Sequence, residues 1–267
     1  MEDLDDRLRA DIQAFVPIAE RLADAARAET LKRFRSPTLA VEIKSDRSPV
    51  TIADRAAEAA MRSLLDEFCP DHGILGEEAG SSGLDREFVW VLDPIDGTRS
   101  FVTGSPLWGT LIALSWKGQP VLGILDAPAQ NERWIGCVGR PTLFNGAPCR
   151  TRAAGDLGHA VLYTTTPDLF CDDDRPGFEG LSSRVAERRY CADCYAYGMV
   201  ASGWIDIALD PATKPYDYMA LVPVVEGAGG RMTDWSGAPA NLTSSGWVIA
   251  AGDSATHAAA LAALKGG

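Results

Sequence analysis

The run Trp90-Val91-Leu92-Asp93-Pro94-Ile95-Asp96-Gly97-Thr98-Arg99-Ser100-Phe101 constrains the fold more than any other stretch of the chain. Its apolar start, Phe88–Leu92, reads as a buried β-strand, yet that strand runs directly into two carboxylates. A buried strand that ends in acids needs a partner for their charge. Pro94 stiffens the turn, so Asp93 and Asp96 can converge at the strand's carboxyl end. Oxygen donors on a rigid strand end suit a hard divalent cation such as Mg2+. Gly97 and Thr98 then offer backbone N–H groups where a helix can begin, a natural seat for phosphate. Metal beside phosphate seat is the layout of a metal-dependent phosphatase.

Composition narrows the partners. With 267 residues, 46% of them hydrophobic, the chain can bury a full core in one large domain or two lobes. A formal charge of −12 argues against a nucleic-acid footprint and against an anionic membrane. The same charge would repel a phosphorylated substrate, and bound Mg2+ would resolve that conflict. No run approaches the roughly 18 apolar residues of a membrane span. The acidic start Met1-Glu2-Asp3-Leu4-Asp5-Asp6 lacks the features of a signal peptide. A cytoplasmic protein with reduced thiols is therefore expected. Cys191-Ala-Asp-Cys194 has redox-motif spacing, but no second pair or nearby histidine completes a zinc site.

Apolar positions Leu4, Leu8, Ile12, Phe15, Leu22, Leu31 and Phe34 predict one long amphipathic helix over 4–35, kinked at Pro17. A second helix is expected from Asp54 to Phe68. Strands are expected at Phe88–Leu92, Thr110–Trp116, Val121–Asp126 and Glu132–Cys137, the second and third joined by a turn at Gly118-Gln119-Pro120. In the second half, Ala160–Thr165, Trp204–Leu209 and Trp247–Ala251 read as strands. Tyr195–Ser202, Tyr216–Gly227 and Ala255–Leu264 read as helices, and the acidic Asp172–Gly177 as a solvated loop. Pro141, Gly146, Pro148 and Gly155 interrupt the pattern, so an N-terminal lobe of 1–145 and a C-terminal lobe of 146–267 are expected.

Four further segments fit the opening motif. Lys44-Ser-Asp46-Arg-Ser48-Pro49-Val50-Thr51-Ile-Ala53-Asp54 precedes the second helix, and Gly76-Glu77-Glu78 follows it. Lys214-Pro215-Tyr216-Asp217 opens the late helix, and Gly227-Ala-Gly229-Gly230 ends it. Each also has a plainer reading. Asp54 and Asp217 suit helix N-termini, and Glu77 and Glu78 read as surface carboxylates after a strand.

Taken together, Gly76-Glu77-Glu78, Asp93-Pro94-Ile95-Asp96-Gly97-Thr98 and Tyr216-Asp217…Gly227-Ala228-Gly229-Gly230 resemble the inositol monophosphatase superfamily of Mg2+-dependent, lithium-sensitive phosphatases. The resemblance runs from about Leu4 to Leu264. Tyr216 departs from the tryptophan usual in inositol-specific members. The resemblance implies an α+β fold, a layered α-β-α-β-α sandwich of the inositol monophosphatase and fructose-1,6-bisphosphatase type. It implies a first metal on Glu77, Asp93 and the Ile95 carbonyl, and a second on Asp93, Asp96 and Asp217. A third, weaker Mg2+ would use Glu77 and waters. Asp54 and Thr98 would polarise the attacking water, making Asp54, Thr98 and Glu77 the catalytic set. Paired metals could then ionise that water and stabilise the departing alkoxide, while the N–H groups of Gly97 and Thr98 bind phosphate. Members of this superfamily are commonly dimers.

The run after Thr98, with Asp193-Cys194-Tyr195-Ala196-Tyr197-Gly198, is similar to the histidinol-phosphate phosphatase branch. By that resemblance Asp193 and Asp210 meet the organic part of the substrate, and Arg99 is a further substrate-binding candidate. A carboxylate at 193 suits an ammonium-bearing substrate better than a neutral polyol, although Asp193 also fits a cap for the helix near Tyr195.

Overall fold

The computed structural model describes residues 6–43 and 49–266. Leu4 of the expected first helix, and Lys44, Asp46 and Ser48 of the polar segment, lie outside them. The chain begins with helices α1 (Asp6–Gln13) and α2 (Val16–Leu31), then paired strands β1 (Val41–Ile43) and β2 (Pro49–Thr51), and helix α3 (Ile52–Phe68). Next come β3 (Gly73–Gly76), β4 (Gly80–Ser82), β5 (Phe88–Asp96), the short α4 (Thr98–Thr103), β6 (Gly109–Trp116), β7 (Gln119–Ala127) and β8 (Glu132–Cys137). The small strands β9 (Leu143–Phe144) and β10 (Ala147–Pro148) complete an eight-stranded sheet of order β10-β9-β8-β7-β6-β5-β3-β4.

The second half supplies β11 (Val161–Thr164), α5 (Arg175–Ser182), β12 (Glu187–Tyr190), α6 (Tyr195–Ala201), β13 (Ile207–Asp210), α7 (Pro215–Tyr218), α8 (Leu221–Gly227), β14 (Arg231–Asp234), β15 (Val248–Ala251) and α9 (Ser254–Lys265). Its strands form a five-stranded sheet of order β12-β11-β13-β15-β14. The pleat of β5 sorts its side chains between two cores. Trp90 and Leu92 pack with Ala19, Leu22 and Ala26 of α2 and Met61 and Leu65 of α3. Val89 and Val91 join Tyr197 and Val200 of α6, Val224 of α8 and Ala208 of β13. Beyond the second sheet, Ile207, Leu209 and Ile249 meet Phe178 and Leu181 of α5 and Ala260 and Leu264 of α9. The layers therefore alternate α-β-α-β-α.

Three sequence expectations need correction. The first helix is two, because the chain turns at Ala14–Phe15 and Pro17 lies in the first turn of α2, where its missing N–H costs nothing. The late helix likewise splits into α7 and α8. The acidic loop ends sooner than expected, since α5 begins at Arg175 with a proline in its first turn.

Two glycines set how closely α8 approaches the first sheet. A Cβ on Gly123 would lie 2.0 Å from the Ala220 carbonyl oxygen, and one on Gly136 would lie 2.2 Å from that of Pro223. Only hydrogen fits there. Backbone therefore packs on backbone, and the neighbouring α7 is delivered against β5 and β6.

Candidate metal and phosphate site

In an unbroken strand, residues 93 and 96 would face opposite sides. A β-bulge prevents this. Asp93 pairs with Leu111 and Asp96 with Gly109, a register shift of one residue that turns both carboxylates to one side. The bulge is held by the N–H of Ile95 donating to Asp93 Oδ1 at 3.0 Å and by Thr110 Oγ1 donating to the Pro94 carbonyl at 2.8 Å. β3 runs parallel to β5 with Gly76 opposite Leu92, so Glu77 emerges beside Asp93, its N–H bonded to the Leu92 carbonyl at 3.1 Å.

Asp217 arrives from the opposite layer at the start of α7. One of its oxygens accepts the Lys214 N–H at 2.7 Å, the helix-capping role anticipated for it. Capping does not exclude a second role: carboxylate oxygens of Asp93, Asp96 and Asp217 lie within 4.8 Å of one another. Asp54 caps α3 in the same way, its Oδ2 accepting the Thr51 N–H at 2.8 Å and the Thr51 hydroxyl at 2.6 Å. Its other oxygen, Oδ1, is buried without a hydrogen-bond partner among the described residues.

The cluster carries a strong electrostatic signature. Burial, then repulsion from Glu77, Asp96 and Asp217, holds the Asp93 carboxyl well above the usual range. Burial, then Asp193 and Asp217, does the same to Asp96. Burial pushes Asp217 up to about 7, with Glu77 adding to the effect. Among the described residues no lysine or arginine ion-pairs with any of the three. Three carboxylates with no basic partner make a donor set that fits a hard divalent cation. Glu77 and the Ile95 carbonyl, which accepts a hydrogen bond from Thr98 Oγ1 at 3.0 Å, stand beside it.

A carboxyl whose folded pKa is raised stabilises the fold while protonated, and that contribution is lost as pH rises from the unfolded value toward the folded one. For Asp217 the window runs from 3.8 to about 7. The melting temperature in EDTA should therefore fall between about pH 4 and pH 7. Saturating Mg2+ should restore about 5–10 °C at pH 8 and far less at pH 5. An equal Mg2+ effect at both pH values would locate the ion away from these carboxylates.

A cavity of about 250 Å³ opens beside the cluster, lined by Asp96, Asp193, Tyr197, Asp210 and Asp217 among others. Its two further acids differ. Asp210 is saturated: Oδ1 accepts from Thr164 Oγ1 at 3.0 Å and the Thr165 N–H at 2.8 Å, and Oδ2 from the Tyr197 hydroxyl at 3.1 Å. Burial still lifts its carboxyl to about 6. Asp193 Oδ2 accepts from Ser100 Oγ at 2.8 Å, and burial raises that carboxyl too. Gly97 caps α4 in the left-handed region, φ +83°, with no side-chain cap covering the N–H groups of the first turn. Arg99 is exposed on α4 and lines no part of this cavity.

Sequence reasoning passed over several supporting groups. Glu58 is buried, accepts the N–H groups of Glu78 and Ala79 at 2.7 and 3.0 Å, and pairs with Arg62 at 2.8 Å, shaping the turn that carries Glu77. An acid on the inward stripe of α3, one turn after Asp54, was a readable sign. The Cys194 N–H, which donates to Asp96 Oδ2 at 2.7 Å, left no such sign. The histidines stay outside the site: His72 accepts from the Trp90 indole, His257 meets Thr233, and His159 is exposed. No helix among the described residues is long and apolar enough to cross a membrane.

Comparison with known proteins agrees with this geometry. The model of the inositol monophosphatase family matches residues 11–266. The chain is 45% identical over 264 residues to the bifunctional phosphatase IMPL2, chloroplastic, of Arabidopsis thaliana, covering 96% of this chain and 76% of that protein. It is 38% identical over 226 residues to the histidinol-phosphatase of Mycobacterium tuberculosis (strain ATCC 25618 / H37Rv), covering 82% of this chain and 87% of the relative. Among solved structures, an inositol monophosphatase from Zymomonas mobilis has a TM-score of 0.87 and 45% identity, over 95% of this chain and 98% of that one. With fold, carboxylate cluster and a match through almost its whole length in agreement, this chain belongs to the inositol monophosphatase family of metal-dependent phosphatases.

Proposed function

We propose that the protein is a Mg2+-dependent phosphomonoesterase whose preferred substrate is L-histidinol phosphate, released as L-histidinol and phosphate. The observation that carries the substrate is Asp193. Its carboxylate lines the cavity beside Asp96 and accepts from Ser100 Oγ at Oδ2, with no basic side chain paired to it among the described residues. An ammonium group is the natural partner for such an acid. Asp210, with three donors already satisfied, serves to shape the pocket rather than to take the charge. The relatives named histidinol-phosphatase, at 36–38% identity, support the same reading.

On this reading Glu77, Asp93, Asp96, Asp217 and the Ile95 carbonyl hold the metal. Bound Mg2+ would offset their charge, polarise the phosphoryl oxygens and acidify the attacking water. Asp54 Oδ1, buried and unpaired, takes a proton from that water. Thr98 donates its hydroxyl hydrogen bond to the Ile95 carbonyl, which leaves its oxygen free to accept from the water and orient it. The open N–H groups of Gly97 and Thr98 hold phosphate oxygens at a first helical turn that no side chain caps. Because α4 spans six residues, local N–H groups rather than a long helix dipole do this.

The test is phosphate release from L-histidinol phosphate and inositol-1-phosphate, each with Mg2+ and with EDTA. A Mg2+-dependent kcat/KM at least about tenfold higher for histidinol phosphate is expected. Asp193→Ala should remove most of that preference, and equal losses on both esters would end the ammonium-partner role. The Zymomonas mobilis likeness favours a second reading, inositol-1-phosphate hydrolysis, which a reversed preference would establish. Metal binding without turnover of either ester would point to a catalytically idle homologue.

A further inference from the structure

The organic side of the cavity is set by a contact that spans the chain. Ser100, in the first sheet's half, donates from Oγ to Asp193 Oδ2 at 2.8 Å, 93 residues away in sequence. Asp193 sits at φ +44° and Cys191 at φ +66°, left-handed conformations that non-glycine residues avoid and that surrounding structure must hold in place. The loop is tied at both ends, by the Cys191 N–H to the Thr165 carbonyl at 2.9 Å and by the Cys194 N–H to Asp96 Oδ2 at 2.7 Å. Between those ties the carboxylate lies across the bare face of Gly97, where a Cβ would fall 2.9 Å from Asp193 Oδ2. Gly97 removes the obstacle and Ser100 supplies the anchor.

We infer that Ser100 is a positioning residue for substrate selection: by holding Asp193 against Gly97, it fixes the separation between the site for the substrate's ammonium group and the phosphate seat. This rests on the aminoalkyl-phosphate reading proposed above. Ser100 need not touch the substrate. Without its hydroxyl the carboxylate keeps only the Thr165 side chain as a partner and is no longer held against Gly97, and the substrate must then order it on binding. The loss should fall on binding of the cationic ester and spare the chemical step.

The experiment measures kcat and KM separately for L-histidinol phosphate and inositol-1-phosphate in the Mg2+-loaded enzyme and in Ser100→Ala, Ser100→Thr, Asp193→Ala and the Ser100→Ala/Asp193→Ala double variant. Ser100→Ala should raise KM for histidinol phosphate about tenfold, with kcat and the inositol-1-phosphate parameters within about twofold. Ser100→Thr, which keeps the hydroxyl, should recover most of the loss. In the Asp193→Ala background, Ser100→Ala should add less than about twofold, because the two act as one unit. Equal losses on both esters, or full additivity in the double variant, would overturn the inference by making Ser100 a support of α4 alone. A wild type that prefers histidinol phosphate, with Ser100→Ala retaining that preference, would overturn this role and leave the substrate reading intact. A wild type with no preference would overturn both.

Discussion

Asp93→Asn is expected to lower Mg2+-dependent phosphate release by about 10³-fold or more, while raising the melting temperature of the metal-free protein at pH 8. The two effects share one cause. Asp93 is 2% exposed and packed against Glu77, Asp96 and Asp217, so its charge is tolerable only with a cation present. Asparagine keeps the size and can still accept the Ile95 N–H, so the bulge should survive. It removes one negative charge and adds donors that the neighbouring carboxylates can use. Phosphate release with Mg2+ and thermal melting in EDTA check the pair of effects. Normal turnover would refute the metal-site assignment. Inactivity with a lower melting temperature would mean that Asp93 holds the fold rather than the ion.

The second large effect is on stability, at a residue outside the carboxylate cluster. Gly136→Ala should destabilise the protein by about 3 kcal/mol, lowering the melting temperature by about 6–12 °C. Its new methyl would lie 2.2 Å from the Pro223 oxygen and 2.4 Å from the Val224 nitrogen, both backbone atoms that no rotamer change can move. To admit it, α8 must retreat from β8. Because α7 and α8 are nearly continuous, Asp217 should retreat with it. Urea unfolding should show the lost stability, and a Mg2+ titration should show weaker binding in the surviving fold. Wild-type stability would mean that the helix yields more cheaply than the contact suggests.

The elements with strong internal periodicity are legible in the sequence. α3, the long strands β5 to β8 and the closing helix α9 all fall where apolar spacing puts them. What failed were joints and edges. A turn at Ala14–Phe15 interrupts a stripe that continues on its far side, so periodicity alone fuses α1 with α2. β12 consists of Glu187, Arg188, Arg189 and Tyr190, all exposed on a sheet edge, and offers no alternation to read. At the site, the sequence identified which acids to watch, because acids at a buried strand end violate ordinary burial preferences. It could not distinguish Asp193 from Asp210. That difference lies in how many donors each has already acquired, and those donors come from Ser100, Thr164, Thr165 and Tyr197 on separate elements.

The two sheets do not contribute alike to the pocket. Asp54, Glu77, Asp93, Asp96 and Thr98 all belong to the layers built around the first sheet, whereas Asp193 and Asp210 belong to the 191–194 loop and the end of β13. On the proposed roles, the first half, joined by Asp217 reaching in from α7, works on phosphorus, while the 191–194 loop and the end of β13 recognise the alcohol that leaves. Leaving-group preference then becomes a separable trait. Substitutions around the loop and β13 can redirect the scaffold toward a different alcohol while the hydrolytic apparatus stays as it is. Relatives that share this fold can thus diverge in diet without reinventing the reaction.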